Sequence, residues 1–423
     1  MTNDEGSSRI TGHASPTSDS WLLTTDLCIK CNICTSVCPV AAVTDLFPGP
    51  KVVGPQAQRF REPGAISLDR SVDYCSGCGV CSLVCPQGVQ VAEMNILAKA
   101  ALAERDGVSR RNRLLGRSEQ VGRIGSWFAP LANFLLQNKF LRSLGERWFG
   151  VSREAPFPKF AWRSFRSRFA RSGAGRDAAG IYKVVYFHGC STNYYEPRVG
   201  MAAVKVLRLN GCKVSVAEQN CCGLPLQSNG ELAAARAAAE ANLRKLAPYV
   251  REGYVIVGTS TSCTFALKHE YRAVLGLHSE EAELVAGATY DFFEFLQKLE
   301  AEGRWQTGFR HAPERIVYHA PCQLRSHGIG RPAADLLRRV PGVTVLETQA
   351  DCCGVAGTYG LKAEKYQIAK DVGRKAFHEI QKAQATRIAC DSETCRWWLA
   401  QHTGLPAVHP VEILAEAYGV KRV

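Results

Sequence analysis

The sequence contains no run of 18 or more apolar residues, so no transmembrane helix is expected. No secretory signal is expected either. The first twenty residues are polar, with Asp4, Glu5 and many Ser, Thr and Gly, and read as a disordered tail. Gly354, Gly357 and Gly360 do not make a G-x-G-x-x-G, and neither a phosphate-binding loop nor a flavin motif is present. A chain that carries its own dinucleotide is therefore not expected. Acidic residues are scarce in one region. Between Val108 and Arg171, fourteen Lys or Arg face only Glu119, Glu146 and Glu154. That surplus of eleven makes up most of the formal net charge of +13, and the rest of the chain is nearly neutral. A charge confined to one segment implies a local partner rather than a generally basic protein.

One residue type is abundant: there are 18 cysteines in 423 residues. The length suggests two to four domains. With no secretory signal expected, the compartment is expected to be reducing, with thiolates reserved for metal rather than for disulfides. Eight of the cysteines repeat one pattern. Cys28, Cys31, Cys34 and Cys38 precede Pro39, and Cys75, Cys78, Cys81 and Cys85 precede Pro86. Each run reads C-x2-C-x2-C-x3-C-P. Thiolates at that spacing wrap a compact loop around one face of a cube, and the proline turns the chain away. Structural zinc is the alternative, because paired C-x2-C also reads as a zinc ribbon. Zinc, however, needs only four thiolates and no third cysteine at that spacing. The runs resemble those of two-cluster bacterial ferredoxins. The resemblance implies two [4Fe-4S] clusters, one on Cys28, Cys31, Cys34 and Cys85 and the other on Cys75, Cys78, Cys81 and Cys38. This unit is expected over residues 21–103. Its linker from Val40 to Tyr74 is rich in Pro and Gly, and helical periodicity covers Val89 to Glu104.

A basic connector follows over residues 107–180. From Trp127 to Phe149, Leu131, Phe134, Leu135, Leu141, Leu144 and Trp148 fall at helical spacing, and Lys139, Arg142 and Arg147 fall elsewhere. Further on, Phe157, Phe160, Trp162, Phe165 and Phe169 alternate with Arg163, Arg166 and Arg168. Aromatics beside basic residues suit a helix lying at an anionic membrane surface. Packing on the rest of the protein or on a partner subunit is the competing reading. Nucleic acid ranks last, because the cysteine chemistry gives no reason for it. The expected location is cytoplasmic, bound peripherally to the inner face of the cell membrane.

From Ile181 the chain repeats itself. Lys183 to Cys190 matches Ile316 to Cys322, and Cys221-Cys222-Gly223 matches Cys352-Cys353-Gly354. The offsets Cys190 to Cys322, Cys221 to Cys352 and Cys263 to Cys395 are 132, 131 and 132. Each unit reads strand, helix, strand, Cys-Cys-Gly loop, helix, strand, S-x-x-C loop, helix, which argues for largely parallel sheets. Helices are expected over Glu231 to Ala247 and roughly Leu361 to Lys382. Glycine after two cysteines lets the backbone bend so that both sulfurs face one site. Cys190, Cys221, Cys222 and Cys263 can then converge, as can Cys322, Cys352, Cys353 and Cys395.

These cysteines resemble the CCG, or cysteine-rich, domain. It occurs twice in the catalytic subunit of heterodisulfide reductase and in iron–sulfur subunits of glycolate oxidase and lactate-utilisation enzymes. The wording is most similar to the family of the C subunit of anaerobic glycerol-3-phosphate dehydrogenase. It is carried by Cys28-Ile-Lys-Cys31, Phe47-Pro-Gly-Pro-Lys51, His188-Gly-Cys190, Cys221-Cys-Gly-Leu-Pro225, Thr259 to Phe265 and Glu393-Thr-Cys395-Arg-Trp397. The fold class implied is α+β and multidomain: a mainly helical bis-[4Fe-4S] ferredoxin unit, then two tandem α/β CCG repeats over residues 181–300 and 311–423. The resemblance also implies an electron-transfer subunit of a membrane-associated complex. FAD-containing dehydrogenase subunits would feed it, with glycerol 3-phosphate as substrate, and membrane quinone would accept the electrons. A glycolate- or lactate-type oxidase subunit, or a heterodisulfide-reductase-like catalytic subunit, are the alternatives. One departure matters. Ser260 and Ser392 stand where each domain has a further cysteine, with Cys390 two residues upstream of Ser392, so one, two or no further clusters remain open there. His188 and His319 are candidates to hydrogen-bond a cluster sulfur or a quinone, with a structural role equally open. Cys212 has no counterpart and is expected to be a core thiol.

Overall fold

The computed structural model describes residues 25–61, 69–173 and 180–420. The tail expected over residues 1–20 lies outside the described residues, as do residues 21–24 of the ferredoxin unit. Val184, Val185, Tyr186 and Phe187 are apolar in succession and fully buried, so the strand they form needs cover on both faces. That strand, β1 (Tyr182–Phe187), is central in a parallel sheet with β2 (Cys212–Ser215), β3 (Tyr254–Gly258) and β4 (Thr289–Asp291), in the order β2-β1-β3-β4. The second repeat builds the same sheet from β5 (Glu314–Tyr318), β6 (Val343–Glu347), β7 (Arg387–Ala389) and β8 (Ala407–Val408), in the order β6-β5-β7-β8. All ladders are parallel; Tyr182 faces Cys212 in one sheet and Glu314 faces Val343 in the other. Parallel neighbours require crossovers, and helices supply them. The alanine-rich one runs Leu232–Arg251 and its counterpart Ala363–Lys382. The fourth strand of each sheet is absent from the sequence reading. With three and two residues, it is too short to show any periodicity.

The two repeats share one core. The helix after β4, Phe292–Ala301, packs on Pro332–Leu337 of the second repeat. Reciprocally, the helix after β8, Pro410–Ala417, packs on Pro197–Leu209 of the first. Phe292, Phe293, Leu296, Leu299, Val411 and Leu414 are all fully buried in that seam. A polar clamp crosses it as well. The Arg396 guanidinium pairs with the Glu196 carboxylate, and the Trp397 indole donates to the other Glu196 oxygen at 3.1 Å. Arg396 also donates to the Cys390 carbonyl at 2.8 Å, tying the clamp to a cysteine-bearing loop.

The ferredoxin unit and the connector wrap this pair. The helix Val91–Asp106 buries Val91, Ala92, Met94 and Ala98. The connector folds as Arg110–Gly116, Ser118–Trp127, Ala129–Gln137 and Lys139–Phe149. The continuous apolar stretch read over Trp127 to Phe149 is therefore two helices. Asn138 breaks it, because its side chain caps the second helix through Phe140 N and Leu141 N. The aromatic run beyond is corrected too. Phe165 is fully buried against Tyr186 and His188 and is not available to a membrane. Phe157 lies under the Arg142 guanidinium. The connector is tied to itself, as Asn133 and Phe160 exchange hydrogen bonds at 2.8 and 3.0 Å, and to the first repeat, as Ala161 N donates to Tyr194 O at 2.7 Å.

The clamp across the seam is buried, so breaking it leaves an uncompensated charge. Glu196→Gln is expected to lower stability by about 3 kcal/mol. Glu240→Gln, which breaks an exposed helical pair with Arg236, should cost at most about 0.5 kcal/mol. Denaturant unfolding of the anaerobic full chain compares the two, and equal effects would remove the clamp from the account.

Candidate metal centres

The cysteines of each repeat lie beyond the carboxyl ends of the parallel strands, where open α/β sheets place ligands. Cys190 follows β1, Cys221 and Cys222 follow β2, and Cys263 follows β3. All four are buried in one cluster, and the Sγ atoms of Cys190 and Cys221 lie 3.9 Å apart. Hydrogen bonding to Cys190 and then Cys222 holds the Cys221 thiol well below its ordinary range. The loops need their glycines. Gly223 and Gly354 have φ of +91° and +97°. A Cβ on Gly354 would sit 1.9 Å from the Ala369 carbonyl oxygen, so glycine also lets this loop press onto the helix behind it.

In the second repeat the set has five members. The Sγ atoms of Cys353 and Cys395 are 3.0 Å apart. Cys352 is held low by hydrogen bonds from Cys322 and then Cys353, and Cys395 by Cys353 and then Cys390. Cys395 is also the third residue of the helix Glu393–Thr403, whose positive end favours a thiolate. Cys390, fully buried, thus joins the four expected thiols. The first repeat has no equivalent fifth cysteine. There Ser260 donates to Glu393 across the repeats at 3.3 Å, while Ser392 hydrogen-bonds Cys395.

The N-terminal cysteines fall into two groups. Cys28, Cys31, Cys34 and Cys85 ring one small pocket. Cys81 lies within electrostatic range of Cys78, Cys75 and Cys38, and burial pushes the Cys78 thiol up to about 12. This second group abuts the second repeat. Ser326, on the helix Cys322–His327, donates to the Cys78 carbonyl at 3.5 Å, and Cys38 and Cys75 pack on the core that holds Cys353 and Cys395.

A single chamber of about 660 Å3 is bordered by Cys75 and Cys78, by Cys190, Cys222 and Cys263, and by Cys322, Cys352, Cys353 and Cys395. The connector touches it too, through Leu115, Ser118 and Val121, and Glu119, on the helix of Ser118 and Val121, accepts from Cys221 N at 2.7 Å. Cys212 stands apart at the start of β2, and burial pushes its thiol up to about 12. Neither His188 nor His319 borders the chamber, and the two rings differ. His188 Nδ1 lies 2.7 Å from the Gly189 carbonyl, and burial lowers its pKa to about 4. A neutral ring spends its one proton on that carbonyl, so His188 has none for a sulfur. His319 Nδ1 faces the Thr348 hydroxyl at 2.8 Å, which is able to donate to it. When that hydroxyl donates, the ring proton lies on the buried, unpartnered Nε2, on a ring within electrostatic range of Cys395 and Cys352.

The profile of the 4Fe-4S dicluster domain matches residues 24–89, and that of the cysteine-rich (CCG) domain matches residues 184–268 and 316–400. Over 393 residues the chain is 35% identical to the C subunit of anaerobic glycerol-3-phosphate dehydrogenase of Escherichia coli, covering 92% of this chain and 98% of that protein. The chain belongs to the family of that C subunit. More distant relatives share parts of it. The B subunit of fumarate reductase (CoM/CoB) of Methanothermobacter marburgensis is 31% identical over 51% of this chain and 41% of its own length. Lactate utilization protein A 2 of Bacillus cereus is 25% identical over 55% of this chain and 98% of its own length. The chain is thus an iron–sulfur subunit with two [4Fe-4S] clusters in its dicluster domain and with cysteine-rich domains suited to further ones. The residues fit such groups: the donors are soft thiols, mostly buried in the repeat sets and mostly half-buried in the dicluster loops, where Cys31 is exposed. When bound, iron–sulfur clusters exchange single electrons at a potential set by charge, hydrogen bonds and burial. The chain's own residues supply that burial, the thiol sets and the water-excluding core.

If the two repeat sets bind iron, Cys395→Ser should lower iron and acid-labile sulfide by about one cluster, roughly four of each. Cys212→Ala should leave both unchanged. Anaerobic iron and sulfide assays decide, and an equal loss in both variants would remove the special status of the set.

Proposed function

We propose that this chain is the electron-carrying subunit of a flavoprotein dehydrogenase complex. It takes electrons from an FAD-bearing partner, which oxidises glycerol 3-phosphate, and passes them to quinone at the inner face of the cell membrane. One observation carries the reading: the second ferredoxin thiol group and both repeat sets border one chamber, with no dinucleotide or flavin motif in the chain. The name of the Escherichia coli relative supplies the substrate class.

The connector supports membrane contact. Trp127, Phe134, Phe140 and Trp148 are each at least two-thirds exposed, within the segment that carries the charge surplus. An exposed apolar face rimmed by Arg and Lys suits anionic lipid, and no helix among the described residues is long and apolar enough to cross a membrane.

A second reading, catalysis on a disulfide, has one observation in its favour. The five-thiol set that includes Cys390 faces the chamber through Cys322, Cys352, Cys353 and Cys395. A paramagnetic state that appears only when oxidised protein meets thiol would favour it.

Two measurements test the main reading. Glycerol 3-phosphate added to the co-purified complex should bleach the iron–sulfur absorbance; bleaching by lactate or glycolate alone would reassign the substrate. Replacing Trp127, Phe134, Phe140 and Trp148 with Asn should weaken co-sedimentation with anionic vesicles by at least about tenfold. Unchanged binding would move the connector's role to a partner subunit.

A further inference from the structure

The thiols occupy only part of the chamber wall. Another part is polar, and holding clusters does not require it. The helix Val91–Asp106 contributes Asn95 and Lys99, four residues apart on one face. Asn95 is fully buried, and neither amide atom has a hydrogen-bond partner among the described residues. Tyr359 and Lys362 border the chamber as well. The Tyr359 hydroxyl is buried and unpartnered. The Lys362 side chain is 2% exposed, and among the described residues its amine has neither a hydrogen bond nor an ion pair. Asp73, the nearest carboxylate, is engaged by Lys365 and, at 3.8 Å, by Lys99. Burial, then Lys99 and Lys365, lower the Lys362 pKa to about 6. A lone buried amine is costly, and such groups inside cavities mark functional sites.

This polar wall adjoins the second ferredoxin loop. Lys99 Nζ donates to the Cys75 carbonyl at 3.0 Å, and Tyr359 packs in the core on which Cys75 rests. One stretch of the remaining wall is apolar, with Leu136, Leu141, Pro156, Phe157 and Phe160 along it, while Arg142, Glu270, Gln323 and Glu393 border the chamber elsewhere. Leu114, Leu135 and Phe149 also line it, yet each is more than two-fifths exposed, on the connector that carries the apolar face. An apolar tail entering from that face therefore reaches hydrogen-bond donors beside a redox-active loop without crossing water. A ligand that fits has carbonyl acceptors at its head and a long hydrocarbon tail.

We propose that this wall seats the head of an isoprenoid quinone, with Lys362 donating to one carbonyl oxygen, Tyr359 and Asn95 beside it, and the apolar wall holding the tail. The proposal rests on the reading that quinone is the acceptor, and it names where the quinone binds. Reduction of the quinone to quinol consumes two electrons, from the reduced iron–sulfur centres of the holo chain, and two protons. One proton passes through Lys362 to the carbonyl oxygen it faces, and Lys362 regains it from water; the second reaches the far oxygen from water. Lys362 is thus assigned to substrate contact.

The test uses the anaerobically purified full chain with Lys362→Met and Leu136→Trp, the second filling the apolar part. Decyl-benzoquinone binding is read by equilibrium dialysis, and an azido derivative maps the site. The expected result is at least about tenfold weaker binding in each variant, with the label on Leu136 to Leu141 or Tyr359 to Lys362. Iron content and unfolding midpoint should match the native chain in Lys362→Met. Native-like binding in both variants, or label confined elsewhere, would overturn the proposal. So would decanoate binding as tightly as the quinone with the same loss in Lys362→Met, which would make the wall a seat for an anionic lipid. A parallel assay separates the two levels. A substrate-fed complex that reduces a soluble dye but no quinone refutes the acceptor reading. One that reduces quinone with an unchanged KM in both variants refutes only this seat.

Discussion

A thiolate inside an apolar core is expensive unless a metal shares its charge, and this chain gathers two sets of them, of four and five, into its interior. The rest of the architecture follows from that demand. Parallel sheets deliver their loops to one edge, so three strand ends can bring sulfurs together without any cysteine lying in mid-sheet. Cys-Cys-Gly turns two adjacent sulfurs inward because its glycine tolerates both the backbone conformation and the close approach of Ala369.

Holding two such sets at a fixed separation is a task for the seam. Each repeat lends its last helix to the other, so neither can complete its core alone. The Glu196–Arg396 pair adds a polar constraint at the same place, and its reach to the Cys390 carbonyl connects seam to site. The ferredoxin unit docks on the second repeat through a shared apolar core, the Lys365–Asp73 pair and Ser326, which brings its second thiol group beside that repeat. The chamber is what remains between these three bodies and the connector.

Much of this was legible in the chain. The doubled C-x2-C-x2-C-x3-C-P and three landmarks at one offset are local patterns, and local patterns survive without tertiary knowledge. Strands such as Tyr254–Gly258 are equally local, because four successive residues of high strand propensity, Tyr254 to Val257, declare themselves. What was not legible depends on long-range packing. β4 and β8 are strands only because β3 and β7 lie beside them. Phe165 and Phe160 look alike in sequence, but only the first lies within the core. Cys390 and Ser260 read as ambiguous until the second repeat places five thiols in contact. Lys362 gave no signal at all, since an isolated lysine in sequence is ordinarily a solvated one.

Electron paramagnetic resonance of the reduced, anaerobically purified full chain tests most directly whether the thiol groups form one connected set of centres. The spectrum should be broadened by interaction between neighbouring centres, and Cys353→Ser should sharpen it while leaving the dicluster signal in place. Sharp, independent signals unaffected by Cys353→Ser, or protein lacking iron and sulfide, would contradict the account.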